Sequence, residues 1–157
     1  MAATTIAKTV VATGASSGLG FEAVKQLLQQ SQPYKFILGA RDLKSTQAAY
    51  DGLKYDAATH SVSILPLELT DLRGVRSFAQ QTLDKLGKDN LDILFLNAGM
   101  NKPATGPGPN GSKWCEALVV NHLSLPHSSP RREAAPVALA ARRRVVRSYP
   151  QYPGPRP

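Results

Sequence analysis

Eight residues, Thr13 to Gly20, read "TGASSGLG" and lie between a β-branched run and an amphipathic one. Glycines let a backbone turn sharply and come close to a bulky anion, and the unpaired amides at a helix start favour negative charge. A strand-to-helix turn of this composition is suited to a dinucleotide's phosphates, with Thr13, Gly14, Ser16, Ser17, Gly18, Leu19 and Gly20 as candidate binding residues. About 20 residues further on, at the tip of the second strand, a dinucleotide fold uses a carboxylate to hold the ribose 2′-hydroxyl of NAD. This chain has Ala40 and Arg41 there. No carboxylate repels a 2′-phosphate and a guanidinium is able to grip one, which favours NADP(H). In the alternative, Arg41 and Asp42 form a solvated surface couple.

The elements that hold these residues follow from periodicity. "KTVVATG" has the pattern of a buried parallel strand entering a tight turn. In the helix that follows, Phe21, Val24, Leu27 and Leu28 share one face, with Glu22, Lys25 and Gln29 on the other. "YKFILGA" is a second strand, "RDLKSTQAAYDGLK" a second helix and "SVSILPL" a third strand. "TDLRGVRSFAQQTLDKLG" is a third helix, capped by Thr70 or Asp71, with Leu72, Val75, Ala79, Leu83 and Leu86 inward. "LDILFLNAG" is a fourth strand. A Pro- and Gly-rich loop, "MNKPATGPGPNGSK", then leads to a fourth helix that begins near Ser112, with Trp114 and the lone Cys115 packed inward. Strands alternating with amphipathic helices predict an α/β fold, a Rossmann-like doubly wound parallel sheet.

In these motifs the chain resembles the short-chain dehydrogenases/reductases, whose glycine motif is Thr-Gly-x-x-x-Gly-x-Gly. Thr13, Gly14, Gly18 and Gly20 match it position for position. Asn97, Ala98 and Gly99 look like the motif closing the family's fourth strand, where the backbone runs beside the adenine ribose. "LELTDL" is similar to the stretch after the third strand, with Glu68, followed by Leu69, in place of the usual Asp beside the adenine. "GARDL" with "DLRGVRSF" is closest to the retinol-dehydrogenase and protochlorophyllide-reductase-like branch, which mostly uses NADPH. The resemblance covers residues 8 to 123. It implies reduction of a small carbonyl compound, or oxidation of the alcohol, without a metal. Asn121 in "VVNHL" falls on the helix asparagine of the family's Asn-Ser-Tyr-Lys set, which helps hold a water in the proton relay. The alternative for Asn121 is an amide that caps neighbouring backbone, and His122 reads as packing.

The rest of that set has no counterpart. The family's tyrosine donates a proton to the carbonyl oxygen, with its pKa lowered by a lysine four residues on. No lysine follows Lys113, so neither Tyr149 nor Tyr152 has that partner, and Ser148 belongs to no recognisable strand. The loss is abrupt, which points to a change of reading frame after about Leu123. Shifting the codons of Ser124 to Val146 forward by one nucleotide permits "HFHTLLLAEKRLLSPSPRVVVSS", a leucine-rich helix, a polar turn and a valine strand ending in Ser-Ser. On this reading residues 1–123 are a partial NADP-binding domain of about four strands, and 124–157 are an irregular tail, disordered or out of frame.

The net charge of +8 agrees with that division. Up to His127 there are twelve Lys or Arg against ten Asp or Glu; beyond it seven Arg face only Glu133, with six of the twelve prolines. A nucleic-acid-binding tail is thus one function class to weigh. Against it stand the lack of interleaved aromatics and the ease with which out-of-frame GC-rich codons yield Arg, Ala and Pro. A second class is a working reductase completed by residues beyond this chain or by a partner; the first is an inactive NADP-binding remnant. No segment approaches the roughly 20 apolar residues of a membrane span, and one cysteine suits a reducing compartment, so the expected location is cytoplasmic. With its fourth strand as an open apolar edge, the fold is expected to be marginally stable.

Overall fold

A computed structural model of the chain describes residues 6–103, 106, 108–124 and 144–147. Five parallel strands form one sheet: β1 (Lys8–Thr13), β2 (Tyr34–Ala40), β3 (Ser61–Pro66), β4 (Ile93–Leu96) and β5 (Arg144–Arg147), in the order β3-β2-β1-β4-β5. Three helices make the crossovers: α1 (Gly18–Leu27), α2 (Leu43–Asp51) and α3 (Leu72–Leu86). The predicted Rossmann-like α/β architecture is therefore the one observed.

Strand alternation divides the core between the two faces. Val10 and Ala12 of β1 and Phe36 and Leu38 of β2 pack with Val24 and Leu28 from the α1 segment and Tyr50 of α2. Val11 and Ile37 point the other way, into a cluster with Val75, Phe78 and Leu86 of α3. Asp42 caps α2 by accepting from the Ser45 amide at 3.0 Å, and Asp71 caps α3 by accepting from Arg73 at 2.9 Å.

Of the residues predicted to face inward on α3, Val75 and Leu86 are buried, Leu83 packs against the core and Leu72 and Ala79 are half-buried, while Phe78 and Thr82 are buried in addition. Gly39 makes room for Phe78. A Cβ there would collide with the Leu67 side chain and lie 3.1 Å from the Phe78 ring. The space that Gly39 leaves is taken by these two larger side chains, which lets the Phe78 ring lie against the sheet.

The fourth helix also departs from expectation. A short 3₁₀ turn, Pro109–Gly111, has Asn110 and Gly111 in the left-handed region, at φ 55° and 72°. Ser112 and Cys115 are themselves extended, at ψ 133° and 154°, so α4 (Glu116–Leu118) starts at Glu116 rather than Ser112 and widens into a π turn at Val119–Leu123. Val119 and Val120 are buried, which turns Asn121 and His122 outward. His122 is thus exposed, not packed. Trp114, expected inside, is 47% exposed, with the Lys113 ammonium 5.2 Å from its ring centroid. Cys115, expected to be buried, is half-buried.

β4 was expected to form an open edge, and β5 covers it, in parallel register from Ile93 opposite Arg144 to Leu96 opposite Arg147. An edge strand offers a row of unpaired main-chain groups to any extended segment, and "RVVR" contains the adjacent β-branched residues that extend easily. The remaining tail, with Ser148, Tyr149 and Tyr152, lies outside the described residues.

Phe78 has no exposed surface and joins α3 to the sheet. Phe78→Ala is expected to cost about 3–5 kcal/mol, a large share of the stability of a small domain. Urea denaturation followed by circular dichroism measures it, and an unchanged midpoint would rule out this anchor.

Candidate functional site

The chain runs from β1 outward through β2 to β3, then returns to place β4 on the other side of β1. Neighbouring crossovers therefore part above the C-terminal ends of β1 and β4, and open α/β sheets bind ligands in that crevice. Here it is a groove of about 500 Å³. Nine of the residues singled out from the sequence line it: Gly14, Ser16, Ser17, Arg41, Glu68, Leu69, Asn97, Ala98 and Gly99.

Close contact between the glycine turn and the end of β4 builds the floor. Gly14 has φ +66°, and a Cβ on it would sit 2.6 Å from Ala98 Cα. A Cβ on Gly20 would collide with the Gly14 carbonyl and lie 2.6 Å from Asn97 Nδ2. Polar bonds hold the same joint: Asn97 Nδ2 donates to the Gly14 carbonyl at 2.9 Å, and the Ala98 amide donates to Thr13 Oγ1 at 3.3 Å. Thr13 is buried in this joint and lies outside the groove lining.

Gly18, at φ +57°, has open space in front of it. Ser17 begins α1 without a side-chain cap, which leaves the first-turn amides to other acceptors. Leu19 is 86% exposed and, like Gly18 and Gly20, is not among the lining residues. Beneath the turn, the Tyr50 hydroxyl of α2 donates to the Ala15 carbonyl at 2.7 Å, and its ring meets Phe21 edge-on at 5.1 Å. Burial pushes the Tyr50 pKa well upward, so the phenol stays protonated as a donor.

Charge at the tip of β2 is settled by Asp42. Its carboxylate is committed to the α2 cap, and among the described residues no ion pair forms on Arg41. The surface couple weighed for these two residues does not form, and the exposed Arg41 borders the groove without an ion pair. Glu68 Oε1 accepts from the Thr70 amide at 3.0 Å, which fixes the turn on the opposite wall.

Asn121 stands behind the groove. Its Oδ1 accepts from the Met100 amide and its Nδ2 donates to the Met100 carbonyl, both at 2.8 Å. Both ends of the side chain thus clamp the segment that leaves β4, as in the backbone-capping alternative. Met100, Lys102 and Glu116 line the groove and were not foreseen. Lys102 Nζ lies 3.0 Å from Glu116 Oε2, a pairing across a Pro- and Gly-rich loop that no local periodicity announces. Among the described residues no cluster of three or more His, Cys, Asp or Glu is arranged to hold a metal, and no helix is long and apolar enough to cross a membrane.

A family model described as short chain dehydrogenase matches residues 8–130. The chain belongs to the short-chain dehydrogenases. It is 79% identical over 122 residues to a short-chain dehydrogenase/reductase of Pestalotiopsis microspora, covering 78% of this chain and 42% of that one. Human retinol dehydrogenase 13 is 32% identical over 121 residues, covering 77% of this chain and 35% of its own length. This short-chain dehydrogenase chain thus spans less than half the length of either relative. Among solved structures it is similar to a metagenomic short-chain oxidoreductase in complex with NADP, with 26% identity and a TM-score of 0.60, covering 77% of this chain and 52% of that one.

Gly20→Ala tests the floor of the groove. Overpacking at such a joint costs about 1–3 kcal/mol, and the turn has to move away from Asn97 to make room. A lower thermal midpoint, with perturbed amide signals at Gly14 and Asn97, is the expected result; a spectrum identical to the parent's would overturn the close-packed joint.

Proposed function

We propose that residues 8–123 bind NADP(H) in the groove above β1 and β4, as the cofactor-binding part of a short-chain reductase. The observation that carries this reading is the exposed Arg41, which borders the groove and forms no ion pair among the described residues, while Asp42 beside it caps α2. The residues fit the cofactor. The open space at Gly18 and the uncapped start of α1 suit its pyrophosphate, and Ser16 and Ser17 border the same region. Arg41 takes the 2′-phosphate; Glu68, Leu69, Asn97, Ala98 and Gly99 bound the adenosine half. Thr13 and Gly20 keep the turn against β4, and Leu19 contributes its first-turn amide. When bound, the cofactor supplies a hydride donor or acceptor for the interconversion of a carbonyl compound and its alcohol. Asn121 holds Met100 at the groove wall.

No lysine follows Asn121 in this chain, so neither Tyr149 nor Tyr152 forms the family's Tyr-x-x-x-Lys pair, and Tyr50 with Lys54, which have that spacing, lie outside the groove lining; the chain therefore binds the cofactor without completing the proton transfer. Residues 124–157 are best read as out-of-frame translation, and the family match ends at residue 130, soon after the change in composition. Sequencing the transcript across the codons for Asn121 to Pro130 tests this. A message that carries the given frame, with no family-like reading in the shifted one, would remove it. A second reading is an active reductase completed by residues outside this chain, favoured by an Asn121 that still holds both bonds to Met100. Turnover of an aldehyde and ketone panel by the given chain would favour the second reading.

Titration by NADPH fluorescence measures the binding itself. Arg41→Ala is expected to weaken NADPH by about ten- to a hundredfold, the loss of charge-assisted hydrogen bonds, and to leave NADH nearly unchanged. Equal weakening of both would remove Arg41 from the selection of the 2′-phosphate.

A further inference from the structure

Tyr50 is a buried side chain on α2 whose hydroxyl reaches the glycine turn, and neither the family motifs nor the groove lining includes it. It is separated by 35 residues from the carbonyl it holds. That carbonyl belongs to Ala15, in the middle of the turn, and the Ala15 side chain is itself buried.

The C=O of one residue and the N–H of the next lie in a single peptide plane, and in a trans peptide they point in opposite directions. No peptide among the described residues is cis. A carbonyl drawn down onto Tyr50 therefore turns the Ser16 N–H up, away from α2. Ser16 is exposed and lines the groove, and no hydrogen bond from its amide forms among the described residues. The Gly14–Ala15 and Ser17–Gly18 peptides are held by other means: the Gly14 carbonyl accepts from Asn97, and the Ser17 carbonyl accepts from the Phe21 amide. At the Ala15–Ser16 plane the bond to Tyr50 is the fastening.

We infer that Tyr50 is a positioning residue for the dinucleotide's pyrophosphate: by gripping the Ala15 carbonyl it fixes the adjoining peptide plane and aims the Ser16 amide at the phosphate oxygens. The inference rests on the NADP(H) reading of the groove. The ring's packing is separable from this role, since the edge contact with Phe21 at 5.1 Å and the fit between α1 and α2 need no hydroxyl. Without the hydroxyl the plane is free to turn and the amide is no longer held in advance, so part of the binding energy goes to ordering it.

Tyr50→Phe in the full chain isolates the hydroxyl. NADPH affinity, read by fluorescence, is expected to fall about tenfold, the loss of one well-aimed hydrogen bond to a charged group. Affinity for 2′-AMP, which has the adenosine and the 2′-phosphate but no pyrophosphate, is expected to stay within about twofold, as measured by ligand-observed NMR. A purely structural role would weaken both ligands together, and that result overturns the inference, as does unchanged NADPH affinity in the variant. Should the variant fail to fold, the parent chain supplies an independent readout. On saturation with NADPH the Ser16 amide is expected to shift strongly and gain protection from exchange, while 2′-AMP leaves it in place; an unmoved Ser16 amide under NADPH overturns the inference. A parent chain that binds neither ligand would instead defeat the NADP(H) reading on which the inference stands.

Discussion

The molecule depends on one approach of backbone to backbone. The turn after β1 and the end of β4 meet at Gly14, Gly20, Asn97 and Ala98 with no room for an added methyl group at either glycine. Because the chain places β4 beside β1 only after leaving through β2 and β3, this contact ties together segments more than 80 residues apart. It opens the crevice and at the same time closes its floor. An amide, Asn97, and a hydroxyl, Thr13, complete the joint by satisfying main-chain groups that would otherwise be left unpaired where water is largely excluded.

Charge around the crevice is organised by which side chains are already occupied. Asp42 is one residue from Arg41 and would be its natural partner on proximity alone. A helix start needs an acceptor, however, and the carboxylate is turned to the Ser45 amide, with no ion pair to Arg41. Glu68 is similarly engaged with Thr70, and Lys102 with Glu116 across the mouth. The net result is a wall whose acidic groups are engaged locally while one guanidinium is left to outside anions. Such a division is a property of helix capping more than of sequence composition.

Periodicity in the sequence made the first three strands and three helices legible, because their apolar residues repeat at the spacings set by a pleat or a helical turn. The glycine turn was legible too, since only glycine tolerates both φ +66° and contact with Ala98. Three features were not. The burial of Phe78 on α3 depends on the space left by Gly39 in another element, which the apolar pattern of the helix alone does not show. The start of α4 was set back by the extended backbone at Ser112 and Cys115, which a tally of helix formers does not weigh. Tyr50 carried no motif, and its hydroxyl gains meaning only once α2 is folded beneath the turn. The first and the last of these depend on a contact between distant segments.

The pairing of β4 with β5 has an implication for how such a chain fares in a cell. The ladder is made of main-chain groups, which every residue except proline supplies in full, so the exposed side of β4 accepts an extended segment with little regard to the side chains it bears. If the residues beyond Leu123 arise from a shifted frame, selection never shaped them as a strand, yet a four-residue piece still docks as one. The docked piece is then itself the outer strand, so the open row of main-chain groups is passed on from β4 to β5 rather than removed, and chaperones and proteases still meet an edge on this side of the sheet.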